Sequence, residues 1–423
     1  MYIERLRLTD FRNYLALDLS PPRGLVVFTG RNAQGKSNLL EAIMLIATSR
    51  SFRTNSEREA VRWGAPGHFA RVDATVARRS GEMQVEIVIS DTGLSDNASP
   101  RPAASESTLP APPAPFRKRI RVNGTPRRAM DLLGQVTVVV FAPTDLDLVI
   151  GSPAERRRFL DMTLCQVRPA YCRALSQYQK ILTQRGALLR RIREGEDSPH
   201  ALAYWDDQLA RLAAPIFRER AAFLAAAEST AARVYAALAH DEDANEDAGE
   251  DVGDGEANDS VEPSDSSLRL VYHPSYDGPL TGSDDDIAAG IGARLIELRR
   301  REIAQGVNVL GPHRDDLAFL AGSVDLSTYG SRGQQRSVAL ALKLAELEHI
   351  ERETGDQPIL LLDDVLSELD AQRRADLLAA VRDLDQVLLT TTDAASVPED
   401  ALTHASIYRV RAGRVVLVTP ASS

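Results

Sequence analysis

Gly30-Arg31-Asn32-Ala33-Gln34-Gly35-Lys36-Ser37 holds glycines, a lysine and a hydroxyl at the spacing that cradles a nucleoside triphosphate. Successive N–H groups of such a turn converge on phosphate oxygens, and the dipole of the helix that follows adds positive potential. Lys36 reaches for the β and γ phosphates, Ser37 offers a hydroxyl to Mg²⁺, and Gly30, Asn32, Gly35 and Asn38 complete the cradle. Far downstream, Ile359-Leu360-Leu361-Leu362-Asp363-Asp364 is an apolar strand pattern ending in two carboxylates, where a parallel sheet presents its C-terminal edge to a ligand. Asp363 is expected to hold Mg²⁺ opposite Ser37, and Asp364 to orient or deprotonate the attacking water. These two stretches together imply binding and hydrolysis of ATP or GTP.

Between them lies Tyr329-Gly330-Ser331-Arg332-Gly333-Gln334-Gln335-Arg336, followed by a helical pattern from Val338 to Leu347. Ser331 and the free N–H groups of that helix start form a second anion site, although the segment alone reads as an ordinary N-cap. Its place, just upstream of the paired aspartates and of Ser367-Glu368-Leu369-Asp370, is the order found in ATPases of the ABC class.

The elements that position these groups follow from periodicity. Residues 1 to about 150 alternate in the manner of strands around one P-loop helix, and Val122-Asn123-Gly124-Thr125 marks a hairpin turn. From Pro153 to His240 the pattern is helical: Pro153 opens a helix, Pro169 and the Glu194 to Pro199 segment interrupt, and Pro215 divides the alanine-rich run from Ala201 to Ala239. The longest uninterrupted helices expected are about 25 residues, on the order of 35 Å. Ile287 to Gln305 adds another helix. Strand patterns return at Leu317 to Leu320, Ile359 to Leu362, Val387 to Thr391 and Ile407 to Val418. The expected architecture is therefore α/β, an ATPase head of mixed sheets split by a helical lobe like a short coiled-coil arm. Its parts are 1–152 and 306–423 for the head and 153–305 for the lobe. Two insertions, 91–115 rich in Pro, Ala and Ser, and 241–267, acidic and poor in apolar residues, are expected to be disordered.

The net charge of −10 is local in origin. Asp241 to Asp265 contains twelve acidic residues and no Lys or Arg, and setting those twelve aside leaves the rest of the chain at +2. Basic clusters able to contact nucleic-acid phosphates are Arg117, Lys118, Arg119 and Arg121, then Arg127 and Arg128, which become DNA-binding candidates under the resemblance described below. Arg156 to Arg158, Arg190, Arg191, Arg193 and Arg299 to Arg301 are further basic clusters. No zinc-finger spacing or aromatic stacking pattern argues for base readout. Cys165 and Cys172 read as free thiols of a reducing compartment, and His313 as structural rather than a metal ligand. No run approaches the roughly twenty apolar residues that span a bilayer, and Met1 leads into a strand pattern, so a cytoplasmic protein without a membrane partner is expected.

Met1-Tyr2-Ile3-Glu4-Arg5-Leu6, Phe11-Arg12-Asn13-Tyr14, Arg156-Arg157-Arg158-Phe159-Leu160-Asp161, Gly311-Pro312-His313-Arg314-Asp315-Asp316, Ser331-Arg332-Gly333-Gln334-Gln335-Arg336 and Thr390-Thr391-Thr392-Asp393 occur together and in order. In these motifs, which span all but the two insertions, the chain resembles the RecF family of ABC/SMC-type ATPases. The resemblance implies a head that hydrolyses ATP as a homodimer, with each nucleotide held between one subunit's P-loop and the partner's Ser331, Gly333 and Gln334. It also implies that Arg12 and Asn13 approach the nucleotide phosphates, with Arg53 a weaker candidate. Binding of double-stranded and single-stranded DNA near gaps, and RecA loading with RecO and RecR proteins, follow from the same resemblance. Where ABC proteins commonly carry a glutamate and a histidine, this chain has Asp364 and Thr391 or Thr392. A shorter carboxylate and an uncharged hydroxyl imply slow turnover, suited to a timed switch. Thr144 stands where the family often has a carboxylate, which leaves the role of Asp145 open. A transporter-coupled or a nuclease-linked ABC-type ATPase is the alternative reading.

Overall fold

The computed structural model describes residues 1–51, 53, 54, 56–90, 116–246 and 267–419, with backbone alone at 239–246. Strands β1 (Tyr2–Phe11), β2 (Tyr14–Leu19) and β3 (Gly24–Thr29) precede helix α1 (Lys36–Thr48). Strands β4 (Phe69–Arg78), β5 (Gly81–Ser90), β6 (Arg117–Val122), β7 (Thr125–Arg127) and β8 (Val138–Phe141) follow. Helices α2 (Pro153–Val167), α3 (Pro169–Arg193) and α4 (Leu202–Glu246) come next, then β9 (Leu268–His273), α5 (Asp284–Gln305), β10 (Asp316–Ala321), β11 (Val324–Asp325) and α6 (Arg332–Thr354). The chain closes with β12 (Ile359–Asp363), α7 (Ala371–Ala380), β13 (Gln386–Thr391), β14 (Ser406–Arg411) and β15 (Arg414–Thr419).

These elements form two compact units, Met1–Pro143 with Asp356–Ser423, and Thr144–Gly355. In the first, one sheet runs β15-β14-β3-β13-β12-β8, parallel except for the β14–β15 hairpin. Its central strands are apolar along their length because both faces are covered: Val26, Val27, Leu361, Leu362, Leu388 and Leu389 are fully buried. The other sheet, β2-β1-β4-β5-β6-β7, is antiparallel and alternates as a half-covered sheet must. Ile3, Leu6, Leu8, Val72, Ala74, Val85 and Ile87 face its core. The β6–β7 turn has Asn123 at φ 48° and Gly124 at φ 75°, the paired left-handed residues of the hairpin turn that the sequence predicts.

In the second unit α4 runs 45 residues, through Pro215 and six residues past His240. Two expectations are corrected here: Pro215 does not divide the helix, and the helix extends on the order of 65 Å rather than 35 Å. A proline inside a helix costs about 3 kcal/mol, but Ala213, Ala214, Ile216 and Phe217 beside it are fully buried, and that packing outweighs the local penalty. The backbone at 241–246 continues this helix. The remaining acidic residues and the 91–115 insertion lie outside the described residues. Strand β9 carries no sequence expectation of its own. It pairs with β10, and the amide of Leu270 donates to Glu228 of α4 at 2.9 Å. Helix α6 packs on the same helices: His349 stacks edge-on against Phe223 at 4.7 Å, and Glu346 accepts from Thr163 at 2.8 Å. The compact division therefore runs at Pro143 and Gly355, where the sequence reading draws its lines at 152 and 305.

The Gly311 to Asp316 motif ties this unit together. Arg220, buried on α4, donates to Asp315 (2.8 Å), to Asp161 (2.8 Å), to the Pro312 carbonyl (2.7 Å) and to the Tyr171 hydroxyl (3.1 Å). Tyr272 donates to Asp315 at 2.5 Å, and Arg156 grips Asp316 with two bonds of 2.6 and 3.1 Å. His313 lies between the Tyr178 hydroxyl, 2.6 Å from Nδ1, and the Asn308 carbonyl, 3.3 Å from Nε2. A carbonyl can only accept, so Nε2 carries the proton and Nδ1 accepts from Tyr178. Both ring nitrogens are thus engaged within the protein, and among the described residues no cluster of three or more His, Cys, Asp and Glu is placed to hold a metal ion.

Burial lowers the His313 pKa to about 4; the Asn308 carbonyl opposes this, while Arg314, Arg157 and Arg185 add to it. The unfolded chain therefore binds the proton near pH 6.5 and the folded one does not, so folding stability falls as pH drops from 6.5 toward 4, by up to about 3 kcal/mol. Urea midpoints of wild type and His313→Gln at pH 7 and pH 5 should show a smaller acid-induced drop in the variant. Equal drops would remove His313 from the account.

Candidate functional site

The P-loop begins where β3 ends. Gly30, at φ 155°, sits so close to β14 that a Cβ would stand 2.4 Å from the Val410 carbonyl oxygen. Gly35, at φ 114°, caps α1, and a Cβ there would stand 2.6 Å from the Asn13 side-chain amide. Both positions need glycine for close approach and for the left-handed turn. Lys36 opens α1 with its ammonium on the carbonyls of Gly30 (2.5 Å) and Arg31 (3.2 Å). Burial lowers its pKa, opposed by Asp364 and then Asp363.

Parallel pairing of β3, β13 and β12 brings three distant segments to one sheet edge. Ser37 and Thr390 each donate to the same oxygen of Asp363, Oδ1, at 2.7 Å. The hydroxyl of Ser37 and the carboxylate of Asp363 are hard oxygen donors side by side, a pair suited to Mg²⁺. Asp364 follows at φ 55°, its amide donating to the Thr390 carbonyl (3.1 Å) and hydroxyl (3.0 Å). Its Oδ1 is buried without a hydrogen-bond partner in the protein. Burial raises its pKa; Lys36 opposes the shift, while Asp363 and Glu368 add to it. A carboxylate with a raised pKa and an unused lone pair is suited to accept a proton. Thr391 is occupied locally, its hydroxyl donating to the Asp393 carbonyl and lying 3.0 Å from that of Ser396.

Three elements brace the loop. From the β1–β2 turn, Asn13 donates to the Gln34 carbonyl at 2.8 Å and accepts from Asn38 at 2.8 Å, and Tyr14 donates to the Gly35 carbonyl at 3.0 Å. Arg53 donates to Asn38 at 2.8 Å. From the β14–β15 turn, the amides of Ala412 and Gly413 donate to the Gln34 side chain (2.9 Å) and carbonyl (3.2 Å). Arg12 is engaged by Glu41 of α1 through bonds of 2.8 and 2.5 Å, and Ser51 donates to the same carboxylate at 2.5 Å. Glu41 and Gln34 escape sequence reasoning, since a glutamate on a helix and a glutamine in a loop read as solvent-facing; nothing but their burial and contacts distinguishes them. Asn32 is exposed on the loop.

The second unit carries the other phosphate-site candidate. Ser331 caps α6, its Oγ accepting from the Gln334 amide at 3.1 Å while the Gln334 side chain accepts from the Ser331 amide at 2.9 Å. This reciprocal cap leaves Ser331 and Arg332 exposed and Gly333 partly exposed. Asp145 lies within electrostatic reach of Lys343 on α6. Burial opposes the Lys343 charge, but Glu346 and Asp145 raise its pKa above the usual lysine value.

The basic candidates separate by strand face. Arg117, Arg119 and Arg121 of β6 lie opposite Ser90, Val88 and Glu86, and across β4 and β1 the same face continues through Arg71, Asp73, Arg7 and Arg5. The carboxylates on this face are paired: Asp73 with Arg7 (2.6 Å), Glu86 with Arg71 (2.8 Å) and Asp18 with Arg5 (2.5 Å). Arginines exceed carboxylates there, and the face is half-exposed. Lys118 points to the other side and is held by the Ser49 carbonyl at 2.6 Å and Glu57 at 3.0 Å. Arg127 and Arg128 are exposed at the sheet edge. Arg156 and Arg157 serve internal ties to Asp316 and the Asp315 carbonyl. Cys165 and Cys172 are buried and in no disulfide, and no described helix is long and apolar enough to cross a membrane.

Residues 2–415 match the family described as the RecF/RecN/SMC N terminal domain. The chain is 42% identical to the DNA replication and repair protein RecF of Chloroflexus aurantiacus, over 98% of this chain and 99% of that one. It is 37% identical to the protein of the same name from Halalkalibacterium halodurans, over 98% of each. Among solved structures, the recombination mediator protein RecF with ATP, of the RecFOR pathway, superposes with a TM-score of 0.80 at 28% identity, over 99% of this chain and 98% of that one. An Smc head bound to the C-winged helix domain of ScpA matches with a TM-score of 0.51 at 13% identity and shares the fold.

The Ser37–Asp363–Thr390 junction allows a clean separation of charge from shape. Asp363→Asn keeps an acceptor oxygen for both hydroxyls, so its thermal midpoint without nucleotide should stay close to wild type. Its ATP affinity should lose at least tenfold of the gain that Mg²⁺ confers, as titrations with and without the metal would show. An unchanged Mg²⁺ dependence would rule Asp363 out as a ligand.

Proposed function

The chain belongs to the RecF family of ABC/SMC-type ATPases, and from that premise we propose that it is an ATP-controlled DNA-binding protein of replication and recombinational repair. The single observation that carries the reading is the junction at Asp363, where P-loop serine, strand-end aspartate and β13 threonine meet. Gly30, Asn32, Gly35, Lys36, Ser37 and Asn38 hold the triphosphate of ATP, and Ser37 and Asp363 hold Mg²⁺. When bound, the metal neutralises charge on the β and γ phosphates. Lys36 leaves the carbonyls of Gly30 and Arg31 for the phosphates. Asp364 accepts the proton of the attacking water. Arg12, fixed by Glu41, and Asn13, fixed by Gln34 and Asn38, set the β1–β2 turn against the cradle, and Arg53 extends that chain of bonds.

Turnover is slow in this reading, because an aspartate reaches less far than a glutamate and Thr391 spends its hydroxyl on the Asp393 turn. The exposed, self-capped Ser331 to Gln334 segment suits a second copy's γ-phosphate: a rigid helix start with free N–H groups. ATP then favours a homodimer, since the nucleotide binds the associated state better than the separate one. The arginine face of β6, β4 and β1, with Arg127 and Arg128 at its edge, supplies phosphate contacts to double-stranded or single-stranded DNA. Work alongside RecO and RecR in RecA loading at gaps, in the cytoplasm, follows from the family. The family match favours this reading over a transporter-coupled or nuclease-linked ATPase.

Sedimentation with Mg²⁺-ATP should show a dimer in wild type and a monomer in Lys36→Ala, and retention of gapped duplex should fall in parallel. A Lys36→Ala protein that dimerises and holds DNA in response to ATP would end the proposal. Affinity for a duplex should fall steeply with salt, the slope in log–log form becoming shallower by about 0.9 for each phosphate no longer neutralised. Arg119→Glu with Arg121→Glu should therefore flatten the slope by nearly two. A slope unchanged by the pair would clear this face of DNA binding.

A further inference from the structure

The β14–β15 hairpin forms one edge of the mixed sheet; no described strand pairs beyond β15, and β2 approaches it at the turn, where Gly413 lies against the Asn13 carbonyl. Edge strands leave a row of backbone N–H and C=O groups available to another chain. Val416, Leu417 and Val418 on it are 62%, 48% and 48% exposed, an unusual run of apolar side chains for a surface strand. Register places Arg409 opposite Val416 and Arg411 opposite Arg414, so one face of the hairpin presents three arginines and valine together. Ser406–Thr419 contains no acidic residue. A register shift between Ile407 and Tyr408 places a bulge near Val418, which confines the regular edge to the Arg414 to Leu417 stretch.

We propose that this edge is a docking site for a short, extended, acidic segment of a partner protein, which adds as a strand beside β15. Main-chain ladder bonds to β15 hold it, its carboxylates lie on the arginine face beside Arg414, and its β-branched or other apolar residues lie on the opposite face beside Leu417. Charge decides between occupants. A second copy paired antiparallel over Arg414 to Leu417 sets Arg414 beside the other copy's Leu417 and brings no carboxylate to it, a lysine-rich segment sets like charges opposite one another, and an acidic segment is attracted. The short regular edge selects a segment of about four or five residues rather than a whole sheet. None of this depends on how the protein meets DNA.

The probe is a fluorescein-labelled peptide of alternating glutamate and valine, titrated with the full-length protein and followed by anisotropy. Two controls accompany it: a lysine–valine peptide, and the glutamate–valine peptide N-methylated at every residue, which can donate no ladder bond from either edge. Wild type should bind the first peptide at least tenfold more tightly than either control. Arg411→Glu with Arg414→Glu should reverse the preference in favour of the lysine–valine peptide, with an unchanged thermal midpoint, because both side chains are exposed. Equal binding of the N-methylated peptide would reduce the effect to charge alone and overturn strand addition. Failure of any peptide to bind would overturn it as well. So would a concentration-dependent dimer, abolished by Val416→Lys, that forms without nucleotide and without peptide binding, since the edge would then belong to a second copy.

Discussion

One carboxylate oxygen organises the nucleotide site. Oδ1 of Asp363 accepts from Ser37, 326 residues earlier in the chain, and from Thr390, 27 residues later. Two bonds of 2.7 Å to one atom are possible only if β3, β12 and β13 run parallel and end at the same level, which their register ensures: Thr391 lies beside Thr29 and Thr390 beside Asp363. Slip any strand by one residue and its side chains exchange faces, so the junction would be lost along with the packing. The register is in turn held by apolar burial on both sides of the sheet, from Val26 and Val27 through Leu361 and Leu362 to Leu388 and Leu389. Chemistry at the strand ends is thus a consequence of hydrophobic order along the strands.

Much of this is legible in the sequence, and the physical reason is that glycine, lysine and aspartate at fixed spacing act through local backbone geometry. The P-loop turn needs Gly30 and Gly35 for its close approaches, and the apolar run ending in Asp363-Asp364, ordinary alone, becomes informative once paired with that turn. The Asn123-Gly124 turn is readable for the same reason, since two successive left-handed residues admit few alternatives. What escapes depends on tertiary packing. Pro215 carries a local signal to break a helix, and the buried alanines and Phe217 around it override that signal. Strand β9 is as long as β10 yet carries no sequence expectation, and what marks it as a strand is its pairing with β10 and the bond to Glu228. Lys118 sits in a basic run that reads as one cluster, yet strand alternation sends it to the opposite face from Arg117 and Arg119, where Ser49 and Glu57 hold it.

The buried charges of the helical unit follow a different logic. Arg185 is fully buried with Glu302 at 2.5 Å, Asp206 at 2.8 Å and Asn308 at 2.6 Å, joining α3, α4 and α5. Arg220 of α4 does the same for α2, α3 and the Gly311 to Asp316 motif, through Asp161, Tyr171, Asp315 and the Pro312 carbonyl. Such pairs contribute little net stability over apolar packing, because desolvation offsets the attraction, but removing one partner leaves a buried charge at a cost of about 3 to 5 kcal/mol. They therefore penalise alternative helix registers heavily. A guanidinium with several partners is fully satisfied only in the one register in which all are met.

The phosphate cradle is held in shape by bonds from three sides of the first unit. Asn13 and Tyr14 hold the P-loop from the β1–β2 turn, Ala412 and Gly413 hold Gln34 from the β14–β15 turn, and Asp363 holds Ser37 from the sheet. Every one of these bonds lies within the first unit, and each fixes the loop from behind or from the side. Preorganisation of this kind lowers the cost of binding a triphosphate, because little conformational freedom remains to be given up. It also means that the elements bracing the loop are already committed and cannot swing over the γ-phosphate without breaking the bonds that shape the cradle. The reciprocal cap at Ser331 and Gln334 is likewise ordered by its own hydrogen bonds.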